Sequence, residues 1–331
     1  MEDVARSAGV SLATVSRVIN RPDRVGADIV EKVRASIKTL GYIPNGLARA
    51  LASKSTRTVG VVVPTINGAI YSRMVTALQQ SLEQQGLVLF VATHEYSLAR
   101  ELESVRALIE RGVDAMILVG QTHKKDAFDQ IRRKQIPLVL MCVYEPKSEW
   151  STVGWSNKAG GTRIADHLAQ IGHRRIGIIG GIASDNDRAR DRVEGFISAF
   201  RQKNIEIHDD YIVECRYDLA DSGRALRQLM ENSSPPTAIL CGNDVLATGA
   251  LLECLRLKIR VPQDLSITGY DDLDLAAHLV PSLTTLRIPA DEIGRLSAQT
   301  LIGLLENNSK PRHVDVDVDL ILRETSAPPS H

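Results

Sequence analysis

From Thr58 to Asp271 the chain keeps one rhythm, a short apolar run followed by a stretch of helical period. The runs are "TVGVVVP" (58–64), "LVLFVAT" (87–93), "AMILVG" (115–120) and "PLVLMCV" (137–143), then "RIGIIGG" (175–181), "YIVECR" (211–216), "AILCG" (238–242) and "LSITGYD" (265–271). Helices are expected between them, at about 70–85, 98–111, 158–171, 187–203, 219–231 and 243–258. A strand that is apolar on both faces has to be covered on both faces, which describes a parallel sheet between helical layers. Eight or nine such strands suit two doubly wound lobes better than one sheet. The break falls near 152–157, where "TVGWSN" carries the chain across. "LTTLRIP" (283–289) with a helix at 290–306, and "HVDVDVDLIL" (313–322), are expected to return across the cleft. The body is therefore expected to run over 58–331, with one lobe at about 58–153 and 284–308 and the other at about 154–283 and 309–325.

At 331 residues the chain exceeds what one hydrophobic core organises, so more than one domain is expected. Forty Lys/Arg balance forty Asp/Glu, but unevenly along the chain. Residues 1–58 hold ten Lys/Arg against five Asp/Glu, leaving 30 against 35 in the rest. A small basic head on an acidic body fits a nucleic-acid binder with a separate second function. The cysteines, Cys142, Cys215, Cys241 and Cys254, form no C-x-x-C pair, and reduced core thiols are favoured. No apolar run approaches the ~18 residues of a membrane span, and Met1-Glu2-Asp3 is too short and acidic for a secretory leader, so a cytoplasmic protein is expected.

The head, residues 1–44, reads as three short helices. "DVARSAGV" (3–10) gives the first, Gly9 allows a sharp turn, and Ser11 fits the N-cap of the second, "SLATVSRVIN" (11–20). Val15, Val18 and Ile19 can pack inward, leaving Leu12, Ala13, Thr14, Ser16, Arg17 and Asn20 outward. A third helix at about 27–40 carries Ile29, Val33, Ile37 and Leu40 on one stripe, with Gly41 as its stop. This is a helix-turn-helix unit, whose second helix enters the major groove. Small residues allow close approach there, Thr14 and Ser16 can donate to phosphates or bases, and Arg17 can pair with guanine. "YIPNGLARALASKS" (42–55) follows, with Asn45 as an N-cap candidate. Within this linker, residues 45–57, a helix of about two turns is marginal alone in water and folds only against a partner. Leu51 there would suit an apolar wedge into a minor groove.

The stretch "DVARSAGVSLATVSRVIN…GYIPNGLARAL" resembles the DNA-binding head and hinge helix of the lactose/galactose repressor (LacI/GalR) family, and the likeness continues collinearly to about Thr325. The resemblance implies an all-α head plus an α/β body with a periplasmic-binding-protein-like core. It implies that Leu12, Ala13 and Arg17 read operator bases, that Thr14, Ser16 and Asn20 lie near the DNA backbone, and that Asn45, Ala48 and Leu51 form the hinge's DNA face, Leu51 and its dimer mate parting a central base step. The family pattern extends a few residues, often with a Thr cap, ahead of the position of Asp3, so the first helix is expected to be poorly capped.

In open parallel sheets ligands sit beyond the carboxyl ends of the strands. Asn243 and Asp244 follow "AILCG", Asp271 and Asp272 follow "SITGY", and Arg190 and Arg192 lie in "NDRARDRVEGF" just beyond "GIIGG". An Arg and an Asp converging on a cleft can hold hydroxyls or a carboxylate. Equally, Asp244 can cap its helix, Asp272 can cap a turn and Arg190 can be a solvated face. The resemblance supports Arg192 from the R-x-x-G-[FW] pattern, Asn243 from "ND" and Asp271 from "GYDD", and places Ile70 and Tyr71 at the wall given by the first lobe. Two departures stand out: Cys142 occupies a position that often holds Asp, and an aromatic expected before "SG" falls on Asp218, with Tyr217 displaced by one.

Three functions compete. An enzyme would need a constellation that is missing: there is no H-E-x-x-H, G-x-S-x-G or P-loop, "GIIGGIAS" is not G-x-G-x-x-G, and the eight histidines show no ligand spacing. No cofactor or metal is expected. A stand-alone sugar-binding protein would leave the basic head idle. A ligand-responsive regulator uses both halves, its partners being near-palindromic double-stranded operator DNA, a small polar effector (a sugar or sugar acid) and a second copy of the chain. The tail "ETSAPPSH" offers no heptad for a coiled coil, so a dimer rather than a tetramer is expected, with the helix at 70–85 (Met74, Leu78, Leu82) and that at 98–111 as candidate contributors.

Overall fold

The computed structural model describes residues 1–43, 55–307 and 310–330, and the chain divides into two compact units, Met1–Thr58 and Val59–His331. The head contains α1 (Glu2–Ala8), α2 (Leu12–Asn20) and α3 (Ala27–Thr39). No side-chain hydrogen bond caps the start of α1, as the departure from the family pattern implied. Its end closes through Gly9 at φ 64°, where the Gly9 and Val10 amides return to Arg6 O and Ala5 O. Thr14 N–H donates to Ser11 Oγ at 3.1 Å and fixes the start of α2. Val4, Ala5, Val15, Val18 and Val33 make the core of the head, with Val30 and Ile37 packed against it. The stripe of α3 differs from the expected one: Ile29 and Leu40 are exposed, and Val30–Val33–Ile37 faces inward. Ile29 lies about 100° around the helix from Val30, and Leu40 lies beyond the last helical residue.

The body contains two six-stranded sheets. In chain order its elements are β1 (Thr58–Val63), α4 (Ala69–Glu83), β2 (Val88–Thr93), α5 (Leu98–Glu110), β3 (Ala115–Val119), α6 (Lys125–Arg133), β4 (Leu138–Met141), β5 (Ser151–Gly154) and α7 (Asn157–Gln170). There follow β6 (Ile176–Gly181), α8 (Asp187–Arg201), β7 (Ile212–Cys215), α9 (Leu219–Met230), β8 (Ala238–Cys241), α10 (Asp244–Leu257) and β9 (Ser266–Asp271). The chain closes with β10 (Thr284–Arg287), α11 (Ala290–Asn307), β11 (His313–Asp315) and β12 (Asp319–Ile321). The first sheet runs β11-β5-β4-β3-β1-β2 and the second β12-β10-β9-β8-β6-β7. β1 with β3, β3 with β4, β4 with β5, β5 with β11, β6 with β7, β6 with β8, β8 with β9 and β9 with β10 pair parallel, and β10 with β12 pairs antiparallel. β1, β3, β4, β6, β8 and β9 are almost wholly buried, the two-sided covering their sequences demanded.

The last strands are shared out differently from expectation. Thr284–Arg287 pairs with Thr268–Asp271 in the second sheet, whereas His313–Asp315 pairs with Thr152–Gly154 in the first. The chain therefore crosses between β5 and α7, again between β10 and α11, and again between β11 and β12, where Val316 and Val318 are buried. Met74, Leu78 and Leu82 are fully buried in the core that α4 shares with α11, and Leu102, Val105 and Leu108 of α5 lie under the other face of the sheet. These stripes cover the first sheet and are not surfaces for a second copy.

Candidate functional site

The carboxyl ends of β3, β4, β6, β8 and β9 bring charged and aromatic side chains together between the lobes. Arg192, one turn into α8, is buried. Its Nε donates to Asn157 Oδ1 at 2.9 Å and its Nη1 to Gly242 O at 2.8 Å, while the guanidinium lies 3.9 Å from the Tyr270 ring centroid. Tyr270 is itself held by Trp155, whose Nε1 donates to its hydroxyl at 2.6 Å. Asp271 is 3% exposed, and its Oδ1 stands 3.9 Å from Arg192 Nη1 with no hydrogen-bond partner. Burial pushes its carboxyl up to about 6, against the opposing pull of Arg192. A carboxylate oxygen that is buried beside a cation, yet unbonded, is an acceptor waiting for a donor.

Arg188 shares this helix face because it lies four residues before Arg192. It is buried, bonded to Asp187 and to the first lobe, and its Nε has no partner. Arg190, two residues along, falls on the opposite side of α8; its half-exposed side chain pairs with Asp191 at 3.5 Å, outside the cluster. Arg188 stands where Arg190 was expected, and the i, i+4 relation to Arg192 was the signal. From the first lobe comes Tyr71, buried at the start of α4, with Ile70 half-buried beside it. Burial pushes the Tyr71 phenol up to about 12.

Asn243 occupies the cap of α10, where its Oδ1 accepts from Leu246 N–H at 2.9 Å, next to the Gly242 carbonyl that Arg192 holds. Asp244 is engaged elsewhere, accepting from Thr285 Oγ1 at 2.6 Å and Leu273 N–H at 2.7 Å. Asp272 is paired with Arg287 and Arg323, each at 2.7 Å. The displaced aromatic also resolves: Asp218 caps α9, and the Tyr217 ring lies over Gly181, its centroid 5.5 Å from that of Tyr96. Burial pushes the Cys142 thiol up to about 12, so the residue where the family often has Asp is a neutral group packed against Met74. Arg188, Tyr96, Asn157 and Trp155 were not picked out from the sequence.

In the head, Leu12 (47% exposed), Ala13, Arg17 and Asn20 are exposed on α2, with Thr14 and Ser16 half-buried. Thr14 Oγ1 lies 2.9 Å from Ser11 Oγ, and Asn20 Nδ2 donates to Ser16 Oγ at 3.3 Å, so the polar side chains of this face are held in place. Asn45, Ala48 and Leu51 lie outside the described residues.

Residues 1–45 match the profile of the bacterial regulatory proteins of the lacI family, and residues 165–326 that of a periplasmic binding protein-like domain. A ribose operon repressor of Escherichia coli K12 is 34% identical over 303 residues, 91% of this chain and 92% of the relative. This chain belongs to the lacI family. The HTH-type transcriptional repressor PurR of Haemophilus influenzae is 30% identical over 330 residues, 98% of each chain. Among solved structures, a LacI-family transcriptional regulator from Silicibacter pomeroyi superposes with a TM-score of 0.88 at 28% identity, covering 98% of both chains. The Lac repressor bound to ONPG in its repressed state gives 0.86 at 28% identity, again over 98% of both. The protein is thus a DNA-binding transcriptional regulator with an effector-binding body, and its relatives are repressors rather than enzymes. Among the described residues no helix is long and apolar enough to cross a membrane.

Proposed function

We propose that this lacI-family protein is a cytoplasmic repressor that binds a near-palindromic operator as a homodimer, under control of a sugar or sugar acid held between the lobes. The observation that carries the reading is the buried, unbonded Oδ1 of Asp271 beside Arg192. A ligand hydroxyl donating to it, and accepting from the arginine side, would satisfy both groups through charge-assisted hydrogen bonds. Tyr71 and Ile70 supply the first lobe's wall, and Asn243 the neighbouring polar edge. A ribose operon repressor among the relatives supports a sugar over other polar metabolites. In the head, Leu12, Ala13 and Arg17 read base edges while Thr14, Ser16 and Asn20 lie along the backbone; Asn45, Ala48 and Leu51 meet the minor groove. Effector binding changes the angle between the lobes, and with it the spacing of the two hinge segments.

The test begins with selection of DNA from a random pool. At about 0.15 M salt the selected site should bind roughly 10³-fold or more tighter than random DNA. Fluorescence anisotropy with that site, repeated over a panel of neutral sugars and their aldonic acids, should then reveal a compound that changes the affinity. Selected DNA that binds no better than random DNA would refute the reading.

Dimerisation is assigned to apolar surface left over by the fold. Val88, Phe90 and Val91 are exposed on the edge strand β2, and Leu252, Leu255 and Val280 (90% exposed) lie on and beside the outer side of α10. The double substitution Leu255→Asp with Val280→Asp should shift the mass in light scattering from twice 36.2 kDa towards the single-chain value. Operator affinity should fall with it, because two heads no longer arrive together. A tetramer in the unsubstituted protein would contradict the dimer.

A further inference from the structure

The two lobes are tied to each other at the carboxyl end of β3 by bonds that use protein atoms alone. Gln121 N–H donates to Asp187 Oδ2 at 2.9 Å, and Arg188 Nη1 donates to Val119 O at 3.0 Å and to Asp187 Oδ1 at 2.7 Å. Asp187 and Arg188 belong to the second lobe, Val119 and Gln121 to the first, and both charged side chains are buried. Between the two main-chain partners lies Gly120, at φ 88°. A Cβ there, already strained at this φ, would stand 1.8 Å from Arg188 Nη1 and 2.5 Å from Asp187 Oδ1, so a side chain at this position would displace both groups from the bonds they make across the lobes. The turn is also braced from within its own lobe. Buried His123 lies 3.1 Å from Gly120 O through Nε2 and 2.8 Å from Glu101 Oε1 through Nδ1.

We propose that Asp187 and Arg188 form a latch, seated on Gly120, that holds the two lobes closed and sets the equilibrium on which an effector acts. The latch is a buried ion pair sharing one guanidinium nitrogen with a carbonyl of the opposite lobe, and it answers a main-chain donor with the other carboxylate oxygen. Opening the lobes would leave Asp187 Oδ2 and the Gln121 amide to find water instead. A ligand moves a two-state equilibrium only by its differential affinity for the two states, so the latch decides how much of that difference is needed. The consequence for regulation rests on the effector reading given above; the latch itself does not.

Spin labels at Lys125 and Asp185, exposed on opposite lobes, with Cys215→Ser to limit background, report the closure of the full-length protein free of DNA and sugar. The unsubstituted sequence should give one dominant distance. Gly120→Ala and, separately, Asp187→Ala should shift the closed-to-open ratio by about ten-fold or more and add a longer distance, as the loss of a charge-assisted hydrogen bond implies. Asp187→Asn, which keeps an acceptor for Gln121, should fall between. An unchanged distribution in Asp187→Ala and Gly120→Ala, with normal circular dichroism, overturns the latch; if Gly120→Ala does not fold, Asp187→Ala against Asp187→Asn decides. Operator binding by the unsubstituted protein, measured on the same preparation, separates the two ideas. Its absence refutes the regulator reading while leaving the distances to judge the latch.

Discussion

Replacing Arg192 with methionine should lower the stability of the body by about 3–5 kcal/mol at pH 7 and abolish the response to effector. The side chain joins Asn157 Oδ1, Gly242 O and the Tyr270 ring, and its charge favours ionised Asp271. Methionine fills much of the volume but leaves those acceptors and a buried carboxylate without a cation. The pH dependence has a definite sign. A carboxyl whose folded value is raised, here to about 6 from an unfolded value of about 3.9, binds its proton more tightly in the native state. Its contribution is therefore fullest below about pH 4 and is lost as pH rises through about 6. Without Arg192 the value climbs further, so the penalty of the substitution should grow as pH rises past about 6. Asp244, pushed up to about 8 by burial and by the charge of Asp271, has the same sign and overlaps this window. The comparison that tests this is Arg192→Met against Arg192→Met with Asp271→Asn, in which the slope added by Asp271, together with the part of the Asp244 shift that its charge imposes, should vanish. Trp150 and Trp155 both lie in the body, so urea midpoints followed by tryptophan fluorescence read this unit rather than the head. Equal midpoints for Arg192→Met and the unsubstituted protein at pH 7 would show that the pair contributes nothing net.

What the sequence yields depends on whether a feature is local. The cap at Ser11, the turn at Gly9 and the two-sided burial of β3 or β8 follow from residues a few positions apart, and each was readable. Strand membership was not. "LTTLRIP" and "HVDVDVDLIL" read as strands, but the pattern of an edge or crossover strand does not say which of two sheets will pair with it. Only the register of Thr284–Arg287 against Thr268–Asp271 settles that.

The site divides in the same way. Asp271 and Arg192 stand where a strand end and a family pattern pointed. Arg188 is distinguished from Arg190 by periodicity: in a helix that begins at Asp187, a side chain four residues from Arg192 shares its face and one two residues away does not. Tyr217 is displaced by one position: Asp218 caps α9, and the preceding ring lies towards Tyr96. Gly120 gave no signal at all. A glycine after a strand is common, and its importance here comes from Asp187 and Arg188, residues of the other lobe.

In the head, Arg17→Ala should reduce operator affinity far more than it alters folding. The core of this unit is Val4, Ala5, Val15, Val18 and Val33, and Arg17 is exposed beside it, so stability should change by no more than about 0.5 kcal/mol. An arginine set bidentate on guanine O6 and N7 contributes about 1–3 kcal/mol of discrimination. A dimer on a near-palindrome makes that contact twice, so about 2–6 kcal/mol, or roughly thirty-fold to 10⁴-fold in affinity, should be lost. On the proposed reading, Ala13 before it on the same short helix presents little bulk and would leave the guanidinium room to reach a base edge instead of stopping at a phosphate. The two roles differ in what they predict. A base contact makes the loss depend on sequence, so operators altered at the guanine in each half-site should bind the variant and the unsubstituted protein about equally. A phosphate contact would weaken binding evenly across all sequences and lower the salt slope by about one unit per arginine. Competition titrations over single-base operator variants at two salt concentrations distinguish these outcomes, and an even loss would remove Arg17 from base reading.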